Sequence, residues 1–103
     1  DEIFAEFLPL PSTPEYRVKV AEEEKISIVQ RLIEEGDFGD AKLITLDGVR
    51  VEYPYGWGIV RPSNTESCLT LRFEAETEAD IHKLKALFTR ELRKIDNRIS
   101  FAW

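Results

Sequence analysis

Between residues 42 and 75 short runs rich in strand formers are broken by turn signals, and over 69–75 the apolar side chains fall at every second position. A period of two suits a strand with one buried face and no helix. The longest run spans residues 68–75. Leu69, Leu71, Phe73 and Ala75 point one way, toward a core, and Cys68, Thr70, Arg72 and Glu74 point the other. Residues 42–46 and 49–53 form two shorter runs around Asp47-Gly48, a strong hairpin signal. Pro54-Tyr55-Gly56 turns the chain into a third short run at 57–61, where Gly56 and Gly58 let another backbone or a ligand approach. The expected product is an antiparallel meander.

Elements of other kinds flank it. Tyr16, Val18 and Val20 alternate with Arg17 and Lys19, which predicts a first strand over 16–21. Glu22-Glu23-Glu24 then places acid where a helix N-terminus welcomes it, with Ile26, Val29, Leu32 and Ile33 at helical spacing and Gly36 as the stop. Thr77-Glu78-Ala79-Asp80 reads as a capping box with Asp in place of Glu. It opens a last helix with Ile81, Leu84, Leu87, Phe88, Leu92 and Ile95 on its apolar face. Strand, helix, meander, helix gives an α+β domain of two layers, with the helices on one face of a mainly antiparallel sheet. Residues 97–103 are a tail, ordered only if Phe101 and Trp103 dock.

The 103 residues carry a formal net charge of −6, which argues against a nucleic-acid face. No run of about 18 apolar residues offers a membrane span, and no basic-then-apolar leader opens the chain. One cysteine, Cys68, forms no internal disulfide, so a reducing compartment, the cytoplasm, is expected. Cys68 reads as a structural thiol and His82 as a solvated residue without a catalytic or metal partner. The consecutive acids at 22–24 read as a helix start, since metal ligands must converge. The chain has no methionine and opens on Asp1, as a piece of a longer protein would. Pro9, Pro11 and Pro14 favour extended chain, so residues 1–15 read either as a connector, partly packed by Phe4, Phe7 and Leu8, or as a loose terminus, and 16–103 as the domain.

Chemistry gathers in Gly56-Trp57-Gly58-Ile59-Val60-Arg61-Pro62-Ser63-Asn64-Thr65-Glu66. Arg61 carries a planar fork of N–H groups that fits two phosphate oxygens. Ser63 and Thr65 add hydroxyls, Asn64 adds an amide, and such a turn can aim backbone N–H groups at one concavity. A plain polar turn is the other reading. A helix cap at Ser63 is excluded by the strand pattern that follows. Trp57 reads as a packing residue before a sugar platform, and Arg72 as a sheet-surface partner of Glu74 or Glu52.

These residues carry a resemblance. The stretch from Asp47-Gly48-Val49-Arg50 through the Gly-Trp strand and the Arg61–Glu66 loop to Leu69-Thr70-Leu71-Arg72-Phe73-Glu74-Ala75, with Ser12-Thr13-Pro14-Glu15 and the last helix, resembles the C-terminal domain of the α-D-phosphohexomutase superfamily. It is most similar to the bacterial phosphomannomutase/phosphoglucomutase branch. The resemblance implies a TATA-box-binding-protein-like domain in which Arg61, Ser63, Asn64 and Thr65 bind the phosphate that is not reacting. It implies hexose phosphates as ligands, three preceding domains of the parent chain as partners, and no catalytic residue or cofactor in this piece. The phosphoserine, the Mg²⁺ loop and the sugar-recognition loop lie elsewhere, and hexose 1,6-bisphosphate is the parent's intermediate. One departure stands out: Ser67 occupies the place of a usual proline, which is expected to loosen the loop's exit. A free-standing phosphate-binding or protein-interaction module remains the alternative.

Overall fold

In the computed structural model, which describes residues 11–101 and 103, the alternating runs become strands. Strand β1 is Tyr16–Lys19, β2 Lys42–Ile44, β3 Val49–Tyr53, β4 Gly56–Pro62 and β5 Cys68–Ala75. Helix α1 is Lys25–Glu35 and α2 is Glu78–Ile95. The sheet order is β1-β5-β4-β3-β2, with every pair antiparallel. Both helices pack on one face, so the α+β two-layer expectation holds.

The core lies between the layers. Val18, Val49, Val51, Val60, Leu69, Leu71 and Phe73 come from the sheet, Ile28, Val29 and Leu32 from α1, and Ile81, Leu84, Phe88 and Leu92 from α2. Gly58 sits where the layers meet most closely. A Cβ there would lie 2.8 Å from both Phe73 Cδ1 and Phe88 Cε1. Those rings meet edge to face at 5.3 Å, so the approach foreseen at this glycine is filled by core aromatics. Phe101 and Trp103 do dock. The Trp103 ring lies edge-on to Tyr16 at 4.8 Å and to Phe73 at 5.6 Å, and its Nε1–H donates to Thr89 Oγ1 at 2.9 Å.

Several boundaries differ from expectation for local reasons. The acidic triplet forms a 3₁₀ turn, Glu22–Glu24, before α1 begins at Lys25. Three adjacent carboxylates repel, and Ala21 offers no capping side chain. Ile26, read as apolar face, is exposed. β2 ends at Ile44, not 46, because the hairpin turn spans residues 45–48. A two-residue turn of the favoured type needs positive φ at both central residues, and here only Gly48 has it, at 78°. At the N-terminus of α2, Thr77 Oγ1 accepts the Asp80 N–H at 3.1 Å as foreseen. The reciprocal half differs: the Asp80 carboxylate takes the Thr77 hydroxyl at 3.0 Å, its side chain being one methylene shorter than the usual Glu.

The packing foreseen for Phe4, Phe7 and Leu8 lies outside the described residues. Residues 11–13 run along β5, where Thr13 N–H donates to Phe73 C=O and Ala75 N–H to Pro11 C=O, both at 3.0 Å.

Candidate functional site

Strand β4 delivers Arg61 and Pro62 to its end, and β5 starts at Cys68, so residues 63–67 are a closed loop between paired strands. Ser63 N–H donates to Cys68 C=O at 3.0 Å and Cys68 N–H to Glu66 C=O at 2.9 Å. Inside the loop Ser63 Oγ accepts from Thr65 N–H at 3.3 Å and Glu66 N–H at 3.1 Å. The geometry imitates a helix N-cap, yet a strand follows, as the sequence pattern required. A hydroxyl has two lone pairs and one proton. With both lone pairs occupied, Ser63 is left as a donor, the role an anion needs. The same bonds occupy two backbone donors of the loop, since the N–H groups of Thr65 and Glu66 are given to Ser63. Asn64 and Thr65 are exposed, and their side chains make no hydrogen bond among the described residues.

The loop's exit is held from below. Lys25, at the start of α1, is buried, and its Nζ donates to the Glu66 carbonyl at 3.1 Å while pairing with Glu22 at 3.0 Å. Ser67 Oγ donates to the same Glu22 carboxylate at 2.9 Å, and Val20 N–H donates to Ser67 C=O at 3.2 Å. Hydrogen bonds from Lys25 and then Ser67 hold the Glu22 carboxyl below the usual range. Serine at 67 therefore ties the exit down, against the loosening expected from the missing proline. Cys68 is also buried, although it keeps the parity of the polar face. The arriving loop covers it, with Sγ 4.0 Å from Glu66 Oε1.

Arg61 faces a hollow of about 320 Å³ lined by the loop residues 62–66 and by Glu15, Arg17, Asp47 and Thr70. Its side chain is 42% exposed. Nη1 lies 3.1 Å from Asp47 Oδ2 and Nη2 lies 3.8 Å from Glu15 Oε2. Arg17 is paired with Glu66 at 3.0 Å. All four predicted residues, Arg61, Ser63, Asn64 and Thr65, thus line one cavity. Sequence reasoning missed Glu15, Arg17, Asp47, Thr70 and Lys25. The cross-strand row Arg61, Thr70, Arg17 brings three of the lining residues together, and pairing of β1 with β5 has no local signature.

A hollow of similar size, about 370 Å³, opens where α1 and the end of α2 meet. Its Arg98 is held by Asp96 and Glu24, its Arg31 by Glu35, and the Ser27 hydroxyl is spent on the Glu24 carbonyl. Trp57 packs under Arg50, whose guanidinium carbon lies 4.2 Å from the ring centroid. Glu52 pairs with Arg50 at 2.6 Å, not with Arg72, which lies exposed opposite Ile59. His82 is exposed. Among the described residues no three His, Cys, Asp or Glu side chains converge as a metal cage, and no helix is long and apolar enough to cross a membrane.

Residues 15–91 match the family model described as phosphoglucomutase/phosphomannomutase, C-terminal domain. The chain is 48% identical over 95 residues to a phosphomannomutase/phosphoglucomutase of Pseudomonas syringae pv. tomato, covering 92% of this chain and 20% of the relative. It is 41% identical over 99 residues to one of Pseudomonas aeruginosa, covering 96% of this chain and 21% of that protein. A crystal structure of a phosphoglucomutase/phosphomannomutase family protein from Burkholderia thailandensis superposes with a TM-score of 0.83 at 29% identity, over 99% of this chain and 21% of that one. The chain spans about one fifth of the length of the curated relatives it matches.

Proposed function

Because this chain belongs to the phosphoglucomutase/phosphomannomutase C-terminal domain family, we propose that its hollow holds the non-reacting phosphate of a hexose phosphate within a larger mutase. Arg61 clamps the dianion, the Ser63 hydroxyl donates a hydrogen bond to it, and Asn64 and Thr65 supply the exposed amide and hydroxyl. One observation carries the reading: Ser63, with both lone pairs taken, faces the same hollow as the Arg61 fork.

The chemistry itself is assigned to the rest of a longer chain. Interconversion of hexose 1-phosphate and hexose 6-phosphate, by way of hexose 1,6-bisphosphate, needs a phosphoryl carrier, and the residues of this hollow supply binding and orientation. A phosphate gripped far from the reacting oxygen lends its binding energy to aligning the sugar. The anchor reads phosphate and little of the sugar, which suits a ligand presented from either end. The Mg²⁺ that the family implies is assigned, with the phosphoryl carrier, to the rest of the longer chain. Residues 1–15 serve as the connector from the preceding domains. The two layers support a TATA-box-binding-protein-like assignment.

Titrating the chain with glucose 1-phosphate while following amide resonances tests the site. Shifts are expected at residues 61–66 and are lost in Arg61→Ala. In a full-length mutase the same substitution weakens substrate binding by ~2–4 kcal/mol, the scale for a lost charge-assisted partner. Shifts elsewhere, or unchanged kinetics in the full-length variant, reject the assignment.

A further inference from the structure

We propose that Asp47 is a placeholder anion, so that phosphate enters the hollow by exchanging with its carboxylate on Arg61. The inference rests on the phosphate reading of the hollow. The two terminal nitrogens of Arg61 are addressed by two carboxylates, Asp47 on Nη1 at 3.1 Å and Glu15 on Nη2 at 3.8 Å. Those are the nitrogens a phosphate takes when bound bidentately. Phosphate that takes this pair of nitrogens therefore competes with the carboxylates already beside them.

The turn is built to put Asp47 in that place. Gly48 has φ of 78° and sits directly on the arginine: a Cβ there would lie 2.2 Å from the Val60 carbonyl oxygen and 2.7 Å from Arg61 Cγ. The β2–β3 turn thus lies against the stem of Arg61, and the preceding residue reaches its head. Asp47 is 76% exposed, so its carboxylate swings into water at little cost.

Charge sets the consequence. Two arginines, Arg17 and Arg61, face three carboxylates, Glu15, Asp47 and Glu66, so the lining has one net negative charge. Both arginines already have partners. The Asp47 carboxylate keeps the guanidinium aimed while the site is empty, and it opposes the dianion on entry and hastens its departure. A site that must release and recapture a phosphorylated sugar during turnover benefits from such weak holding. As a positioning residue, Asp47 acts through Arg61.

The test compares inorganic phosphate binding to the wild-type chain, Asp47→Asn and Arg61→Ala by amide-resonance titration. Asp47→Asn is expected to bind roughly two- to fivefold tighter at low ionic strength, the range for an exposed ion pair. The gain should vanish near about 1 M salt, where such pairs are screened. Loss of a purely structural aspartate weakens binding instead. Binding by Asp47→Asn that is equal to or weaker than wild type at low salt overturns the exchange. Binding by Arg61→Ala equal to wild type overturns the phosphate reading beneath it. Binding seen only in Asp47→Asn supports the exchange, and binding by neither that variant nor wild type overturns both.

Discussion

Replacing Lys25 with methionine separates the anchoring of the loop from the binding it performs. Methionine has similar length and adaptable packing, so the burial of the stem is kept. What is lost is the ammonium, which donates to the Glu66 carbonyl at 3.1 Å from a side chain only 8% exposed. A hydrogen bond from a charged donor contributes ~1.5–3 kcal/mol. Part of that is returned, because the variant no longer desolvates a charge. Glu22 is exposed and turns to water, so its side of the pair adds little. The expected net loss is ~1–2 kcal/mol. With a urea slope of about 1.5 kcal/mol per M, the midpoint falls by roughly 0.7–1.3 M. Urea unfolding followed by tryptophan fluorescence measures it, and amide resonances of residues 63–67 should shift in the folded variant. Phosphate should bind more weakly, since the loop that presents Ser63 has lost its lower support. A midpoint within about 0.2 M of wild type, together with unmoved loop resonances, would refute the anchoring argument.

Gly58→Ala should cost ~1–3 kcal/mol, the usual penalty of overpacking, because its Cβ meets two core rings at 2.8 Å; a thermal melt no lower than wild type contradicts this. Glu91 is 1% exposed. Burial pushes its carboxyl up, but the Asp37 N–H at 2.8 Å, Arg90 at 2.6 Å and Lys94 at 3.0 Å together hold it below the usual carboxylate range. The unfolded chain takes up that proton at higher pH than the folded one. Its contribution is therefore complete above about pH 4.5 and fades as pH falls through the depressed native value. Glu91→Gln should lower the urea midpoint at pH 7 and lessen its fall toward pH 3; parallel pH profiles for the two proteins count against the assignment.

Much of this domain was legible because its signals are local. Alternation over 68–75 and the helical spacing from Ile81 to Ile95 named the right elements, and Arg61-Pro62-Ser63-Asn64-Thr65 marked the loop. Each of those readings needs only a few neighbouring residues, since the periods of strand and helix are fixed by the backbone. The length of the Asp47-Gly48 turn was misjudged because it depends on a single φ that residue type permits but does not impose. The surroundings of the loop were beyond sequence reasoning altogether. Lys25 reaches Glu66 across 41 residues of chain, and Asp47 reaches Arg61 across 14. Composition and pattern decide which residues want water and which do not. Only the assembled sheet decides which distant charges meet, because that follows from strand order and register and leaves no period in the chain.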